Sequence, residues 1–145
     1  MKKHLFIASL IGCLLSFSPA FADFIDFEKN DTFNINSKDH TGKEYEGKDF
    51  SGKNLAGYNF SNAELDKANF SGANLTGANF TGAEVEMVNF SNADLSGANF
   101  TNADLEEANL TGATINGTIF KNAELEYTIW TDGKTCSADS VGSCW

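Results

Sequence analysis

The amino-acid sequence predicts an all-β solenoid, a fold in which short repeated segments stack on one another. An apolar residue occupies every fifth position through 18 consecutive units between Lys43 and Asp132. Two residues before this central position 11 of the units carry Ala, and two residues after it 13 carry Gly or Asn. A period of five fits neither a helix, at about 3.6 residues, nor a plain strand, at about 2. It fits a short extended segment followed by a corner at which Gly or Asn tolerates a positive φ, repeated along a solenoid.

The first 22 residues have the layout of a secretory signal peptide. Two lysines precede an apolar run from Leu5 to Leu15, and Ser-Pro-Ala-Phe-Ala at 18–22 predicts cleavage after Ala22. An alternative rests on residues 10–13, Leu-Ile-Gly-Cys, which resemble the lipobox of bacterial lipoproteins, in which Cys13 would be acylated. That cleavage would leave an apolar run at the start of the mature chain. We therefore expect ordinary cleavage and export to the periplasm or the cell exterior.

Cleavage after Ala22 would leave a strongly acidic chain with two cysteines. Residues 23–145 hold eight lysines, no arginine and 20 acidic residues, a formal charge of −12. Such a surface repels nucleic acids and anionic lipids and favours cations or basic protein surfaces. We therefore expect no nucleic-acid partner. A membrane span is not expected either, because the N-terminal apolar run is too short and too close to a small-residue cleavage site. The remaining Cys136 and Cys144 form an even pair in an exported chain, which indicates a disulfide rather than a metal site or a nucleophile.

Individual units resemble those of a known family. Ala-Asn-Leu-Thr-Gly at 73–77 and Ala-Asp-Leu-Ser-Gly at 93–97 resemble the units of pentapeptide-repeat proteins, and the match extends over residues 43–132. The resemblance implies a right-handed quadrilateral β-helix with one unit on each side. It also implies about 20 residues in each coil, about four to five coils in all, and central residues that point inward together with the small residue two positions before them.

These observations divide the chain into a signal peptide, an irregular N-terminal cap, the solenoid and a disulfide-closed C-terminal cap, at 1–22, 23–42, 43–132 and 133–145. An open coil end exposes unpaired strand edges and apolar core. We therefore expect Phe24, Phe27 and Phe33 to cover the first coil and His40 to act as a capping residue. The first coil itself is expected to be open or frayed, because lysines replace the usual Ala at 43, 48 and 53.

Beyond Trp130 the chain leaves the five-residue frame. It resembles there the W-x-D-G…C…G-x-C tail of some exported pentapeptide-repeat proteins. The resemblance implies that a loop closed by Cys136 and Cys144 holds this tail over the last coil, with Trp130 and Trp145 covering the core. For a loop of this size the chain-entropy model gives about 2 to 3 kcal/mol of stabilisation.

Ile119 and Ile129 occupy outward positions that are polar in nearly every earlier unit. Either the C-terminal tail covers them, or they form an apolar patch through which two copies associate end to end as a homodimer. We expect the tail to cover them, because it is adjacent and needs a surface on which to pack.

Central residues 20 positions apart are expected to stack on one side of the coil, which sorts the surface into four walls. Three of them, which we call the neutral walls, carry mostly Asn, Ser or Thr on either side of the centre. The centres of the first wall are Phe50, Phe70, Phe90, Leu110 and Trp130; those of the second are Leu55, Leu75, Leu95 and Ile115; those of the third are Phe60, Phe80, Phe100 and Phe120.

The fourth wall, which we call the acidic wall, has its centres at Tyr45, Leu65, Val85, Leu105 and Leu125. A carboxylate stands on both sides of every centre, at Glu44, Glu46, Glu64, Asp66, Glu84, Glu86, Asp104, Glu106, Glu124 and Glu126. Its corner residues also differ from the Gly or Asn that the other walls usually carry. The first corner residue is Gly47, and those of the later coils are Lys67, Met87, Glu107 and Tyr127. Like charges about 4.8 Å apart in neighbouring coils repel, so this ladder favours a cation or a basic partner that relieves it.

We interpret the chain as a non-enzymatic protein that binds a partner with a basic surface through the acidic wall. Catalytic residues and cofactors are not expected. Only one histidine, His40, remains after signal cleavage, and the Ser and Thr residues of the repeat lie on regular walls without a cleft.

Three alternatives remain open. The chain could be a structural or spacer solenoid without a specific ligand, in which solvated acids keep an edge-rich rod soluble. Calcium prefers carboxylate oxygens, but a flat ladder offers few ligands to one ion, so only weak, delocalised binding is expected. Some pentapeptide-repeat proteins resemble B-form DNA and bind DNA gyrase, although an export signal and a disulfide argue against that role here.

Overall fold

A computed structural model describes residues 33–144. The chain divides into two compact units, Met1–Asn30 and Asp31–Trp145, and every described residue belongs to the second. The predicted signal peptide, Cys13, Phe24, Phe27 and Trp145 therefore lie outside the described residues.

The backbone forms short bridges in place of long strands. Parallel β-bridges recur at every fifth residue, and each joins a residue to the one 20 positions further on, from Asp39↔Asn59 to Asn109↔Ile129. A turn separates each bridge from the next, and no helix occurs within residues 33–144. The bridges fall into four columns, one on each wall, which is the register of the predicted β-solenoid. Its handedness and its number of coils stay predictions.

The unit centred on Phe70 illustrates the backbone hydrogen bonds of the repeat. The N–H of Phe70 donates to the carbonyl of Asn89 in the next coil at 2.8 Å, and that of Gly72 donates to Ser91 at 2.9 Å. The N–H of Ala73 closes the corner on the carbonyl of Phe70 at 3.0 Å. Because the corner residue Gly72 has a φ of 64°, a residue without Cβ suits this position.

Two columns of phenylalanine face each other in the core, as predicted. The ring centroids of Phe80 lie 5.2 Å from Phe60 and 4.7 Å from Phe100 along one column. Across the core, the rings of Phe70 and Phe80 meet edge to face at 6.0 Å and 88°. Stacked contacts along the axis and edge-to-face contacts across it are the geometries that aromatic pairs prefer, so the two columns pack against each other in the core.

The first coil is closed, and the prediction that it is open or frayed is wrong. Tyr45, Phe50 and Leu55 are all buried. Phe33 packs across the coil end with its ring 4.8 Å from that of Phe50 and 4.5 Å from His40. The lysines at 43, 48 and 53 stay exposed, because aromatic residues of the cap close this end of the core in their place.

His40 is a capping residue, as predicted. It is buried, its Nδ1 lies 2.7 Å from the Tyr45 hydroxyl, and its Nε2 lies 3.0 Å from the carbonyl oxygen of Ser37. Tyr58, in a position that is usually Ala, is also buried and donates its hydroxyl to the carbonyl of Ile35 at 2.6 Å. The polar groups of the cap therefore satisfy one another.

The C-terminal tail, residues 133–144, packs on the last coil as two antiparallel segments. It forms the bridges Ile129↔Thr135 and Glu124↔Val141, and a disulfide joins Cys136 to Cys144. The ring of Trp130, on the first wall, lies 5.2 Å from that of Phe120 on the third wall. The tail, closed by the disulfide, therefore packs on the last coil, as the sequence predicts.

The prediction that the tail covers both outward isoleucines is wrong for one of them. Ile129 pairs with the tail and is half-buried, but Ile119 remains 49% exposed. Within residues 33–144, the tail forms β-bridges only with the acidic wall and the first wall, whereas Ile119 belongs to the third wall.

Candidate functional site

The acidic wall is one continuous surface. Its first column of carboxylates follows the bridges Glu44↔Glu64, Glu64↔Glu84, Glu84↔Asp104 and Asp104↔Glu124. The second column follows hydrogen bonds between coils, in which the corner residue of one coil donates to the carbonyl of Asp66, Glu86, Glu106 or Glu126 in the next. All of these side chains are exposed or half-buried, while the centres between them are buried.

Two carboxylates of this wall, Glu86 and Glu106, have raised pKa values. Partial desolvation, and then the charges of Asp104 and Asp66, raise the pKa of Glu86. The pKa of Glu106 is raised in the same way by desolvation and by the charge of Glu126. Lys67 gives local relief, since its Nζ lies 3.0 Å from the Glu46 carboxylate and this hydrogen bond raises the pKa of the lysine.

The acidic wall also lacks a hydrogen bond that the neutral walls repeat. On those walls the Asn before the centre accepts a bond from the backbone N–H two residues on, as Asn69 does from Ser71 at 3.0 Å. Glutamate is longer by a methylene and does not close this tight turn. Among residues 33–144, the bond occurs on the acidic wall only where Asp104 accepts from Glu106, at 2.9 Å.

The corners of the acidic wall hold side chains in a left-handed backbone. Within the described part of the chain, eight non-glycine residues have a positive φ, and four of them are Asn. The other four all belong to this wall: Lys67, Met87, Glu107 and Tyr127, with φ between 53° and 60°. This conformation costs roughly 1 kcal/mol or more for a residue with a Cβ. Met87 and Tyr127 are also 45% and 46% exposed, so their apolar surface faces outward beside the carboxylates.

These features of the acidic wall were only in part accessible to sequence reasoning. The stacking of the ten carboxylates followed from the 20-residue register. The lost hydrogen bond was missed, although Glu in place of Asn before the centre at 64 and 84 signals it. The backbone strain was missed as well, although large residues at corners that elsewhere hold Gly or Asn indicate it.

We predict that removing two central charges of the ladder stabilises the protein. Glu86→Gln with Glu106→Gln should raise the melting temperature at about 10 mM salt, and the gain should shrink at about 500 mM, where charges are screened. The sign follows from the raised pKa values. Above these pKa values both carboxylates are charged, and their charge is less favourable in the folded state than in the unfolded state. As the pH falls through the raised pKa values both groups become protonated, and the wild type regains the stability that the charges cost. The measurement is thermal unfolding against pH and salt.

The matched control removes two carboxylates from neutral walls, by Asp49→Asn with Asp94→Asn. Hydrogen bonds from Ser51 and Ser96 lower the pKa of these two groups, so their charge stabilises the fold above the ordinary Asp pKa. This variant should show no gain at low salt. An equal gain in both variants would show that total charge, and not the ladder, sets the effect.

Other kinds of site find no support in residues 33–144. No group of three or more His, Cys, Asp or Glu residues is arranged to hold a metal ion. His40 is engaged in the cap. In the same part of the chain, no helix is long and apolar enough to cross a membrane.

The chain is similar to one known protein family. The family model described as pentapeptide repeats matches it in eight copies, over residues 49–83 and 88–126, which is more than half of its length. The search of curated proteins gives no match.

Several solved structures are similar to the chain. A pentapeptide repeat protein from the thylakoid lumen of Arabidopsis thaliana is 31% identical over 72% of this chain and 86% of its own, with a TM-score of 0.37. HetL, a pentapeptide repeat protein involved in heterocyst differentiation regulation in Nostoc sp. strain PCC 7120, is 25% identical over 67% and 63%, with a TM-score of 0.45. QnrB1, a plasmid-mediated fluoroquinolone resistance protein, is 22% identical over 62% and 55%, with a TM-score of 0.39.

The part of the chain that the family model matches lies within the repeat. The match to the family model begins at Asp49 and ends at Glu126, inside the segment 43–132 in which every fifth residue is apolar. The bridges between residues 20 positions apart span the same segment. The chain belongs to the pentapeptide-repeat family.

Proposed function

We propose that the chain is an exported, non-enzymatic binding protein that holds a basic protein surface against its acidic wall. The support for binding at this surface is that the acidic wall differs from the other three walls. There the outward positions carry mutually repelling carboxylates, the turn hydrogen bond is mostly lost, and large side chains occupy left-handed corners. Each of these features lowers stability. Departures from the local rules of a fold are expected at functional sites, where a ligand compensates for them.

The chemistry of the partner follows from the charge. Carboxylates in two columns attract lysine and arginine side chains, and the attraction is strongest where several cations meet the ladder together. The exposed thioether of Met87 and the ring of Tyr127 add apolar and cation–π contacts beside the charges. A basic protein surface therefore fits this wall better than a single metal ion does.

Export of the chain is supported by the disulfide between Cys136 and Cys144. Disulfides form and persist in oxidising compartments such as the periplasm and the cell exterior. The partner is accordingly expected in the same compartment. The predicted signal peptide at 1–22 lies outside the described residues, so sequencing the N-terminus of the protein recovered from its host tests this step directly.

The test of the proposed function compares two variants of equal charge. Glu64→Asn, Glu84→Asn and Asp104→Asn neutralise three of the five carboxylates in the first column of the acidic wall. The matched control, Asp39→Asn, Asp49→Asn and Asp94→Asn, changes the same kind of position once on each neutral wall. Both are used with the wild type to recover proteins from the periplasmic or secreted fraction. We expect the wild type and the control to retain a basic partner, and the acidic-wall variant to lose at least about 90% of it.

Binding strength against salt gives a second measurement on the same proteins. Affinity of the wild type should fall as salt rises, and the acidic-wall variant should show a shallower dependence. If all three proteins retain the same partners equally while their circular dichroism is unchanged, the acidic wall is not the binding surface. The chain would then be a structural spacer.

A further inference from the structure

Asn116 and Gly117 form the only Asn-Gly pair in the sequence. They follow the central residue Ile115 on the second wall, and Gly117 is the corner residue, with a φ of 70°. Both residues are exposed. The side chain of asparagine is a carboxamide, and the backbone nitrogen of the next residue is the nucleophile closest to it along the chain. Because glycine has no side chain, nothing on Gly117 itself blocks the approach of that nitrogen.

The surroundings of this pair are open. A Cβ placed on Gly117 would meet no atom of residues 33–144 within 4 Å, apart from its chain neighbours. The side chain of Asn116 makes no hydrogen bond within the same residues. This side chain therefore has the freedom to turn toward the backbone.

The backbone nitrogen of Gly117 is not held by a hydrogen bond to any residue from 33 to 144. The equivalent corner residues of the earlier coils each donate to the next coil at 2.9 Å, from Gly57 to Thr76, from Gly77 to Ser96 and from Gly97 to Asn116. On the second wall the last coil receives no bridge from the described part of the tail, whose bridges lie on the acidic wall and the first wall. The N–H of Gly117 thus lacks the acceptor that the repeat supplies elsewhere on this wall.

The peptide group between Asn116 and Gly117 is consequently held at one end only. Its carbonyl accepts the N–H of Gly97 at 2.9 Å, and its own N–H is unbonded within the described residues. One coil earlier, the peptide group between Ser96 and Gly97 is held at both ends, by Gly77 and by Asn116. For reaction, this group must turn until its nitrogen lies about 3 to 3.5 Å from the side-chain carbonyl carbon. Turning it breaks a single interchain-segment hydrogen bond at the last coil and two at the coil before.

We propose that Asn116 is a site of spontaneous deamidation through a cyclic imide with Gly117. The nitrogen of Gly117 gives its proton to hydroxide or water and bonds to the side-chain carbonyl carbon of Asn116. The bond from that carbon to the side-chain nitrogen breaks, and this nitrogen takes up a proton and leaves as ammonia. Water then adds to either carbonyl of the imide and opens the ring, which gives aspartate or isoaspartate. Water is the only co-reactant, so the folded chain needs no enzyme for this modification.

Both products change the second wall. Its outward positions after the centres are Ala56, Thr76, Ser96 and Asn116, which include no carboxylate, so each product adds a charge to a neutral column. Isoaspartate also routes the backbone through the side-chain methylene and displaces the carbonyl that accepts the N–H of Gly97. Because each coil of a solenoid contacts mainly its neighbours, this loosening should stay within the last coils.

The test follows the folded protein, with its disulfide intact, during incubation at mildly alkaline pH. Peptide mapping by mass spectrometry should show conversion of Asn116 to aspartate and isoaspartate, faster as the pH rises and at least about tenfold faster than at any other asparagine in residues 33–144. Hydroxylamine, which cleaves a chain at a cyclic imide, should cut after residue 116 during the incubation.

The matched control moves the Asn-Gly pair back by one coil. Ser96→Asn with Asn116→Ser leaves the composition unchanged and places the pair where the N–H of Gly97 donates to the next coil. We expect deamidation at position 96 of this variant to be at least about tenfold slower than at Asn116 of the wild type, because local opening must precede it. In denaturant the two pairs should react at the same rate, since both peptide groups are then free.

Two results would overturn the proposal. One is a folded wild type in which Asn116 remains unmodified while the denatured chain deamidates there. The other is a variant that keeps its circular dichroism and deamidates at position 96 as fast as the wild type does at Asn116. In that case the dipeptide alone, and not the unbonded nitrogen of Gly117, would set the rate.

Discussion

Phe80→Ala is expected to lower the free energy of unfolding by about 3 to 5 kcal/mol, which for a chain of this size is a large share of its stability. Phe80 is fully buried. Its ring contacts two neighbours in its own column, and it meets Phe70 and Phe90 across the core at 6.0 and 5.8 Å. Removing it leaves a cavity walled by four rings held in their columns, so little collapse can relieve the loss. Denaturant unfolding followed by circular dichroism measures the effect.

The control for this prediction is Phe80→Leu. The other phenylalanine column already holds a leucine, Leu110, which is fully buried in the same kind of position. A leucine keeps most of the apolar volume, so the loss should stay below about 1.5 kcal/mol. Equal losses for the Ala and Leu variants would mean that aromatic stacking, and not filled volume, holds the column. A loss below about 1 kcal/mol for the Ala variant would contradict the packing described here.

The repeating part of the fold was predictable because every unit solves the same packing problem. Each central residue must be buried, each corner residue must turn the chain, and a register of 20 residues stacks similar residues on the same wall. The columns of phenylalanine, with Phe70 facing Phe80, follow from counting in fives and twenties alone. Periodicity of this kind averages over many units, so single exceptions such as Tyr58 do not obscure it.

The two coil ends were less accessible, because the repeat stops there. The closed first coil depends on Phe33 and Tyr58 filling space that Ala usually leaves, and no spacing rule indicates this contact. At the other end the tail runs antiparallel, by Ile129↔Thr135 and Glu124↔Val141, whereas the solenoid is parallel. The sequence predicted the disulfide. It did not indicate which walls the tail covers, because that depends on how the tail itself turns. The exposure of Ile119 follows from that choice.

The acidic wall shows a different limit. Outward positions are not constrained by packing. The sequence therefore shows which charges they carry, but the fold neither requires nor forbids those charges. The structure adds that this chemistry is unfavourable for the isolated chain, through raised pKa values at Glu86 and Glu106 and through left-handed corners at Met87 and Tyr127. It is this conflict between wall and fold, rather than charge alone, that favours a binding surface over a solvated spacer.

Removing the disulfide, by Cys136→Ser with Cys144→Ser, is expected to lower the free energy of unfolding by about 2 to 3 kcal/mol, because it releases a loop that is closed over eight residues. The loss should be local before it is global. The described part of the tail makes its backbone hydrogen bonds to residues 123–130 of the last coil, and in a solenoid each coil contacts mainly its neighbours. Hydrogen exchange of the double variant should therefore show faster exchange at Leu125 and Gly142, whose bonds join coil and tail, and unchanged exchange at Phe70.

The matched control for the disulfide is chemical. Reduction of the wild type should reproduce the pattern of the double variant, and the same reductant should leave the double variant unchanged. If protection falls equally at Leu125 and Phe70, the tail is not a local cap and stability is shared along the solenoid.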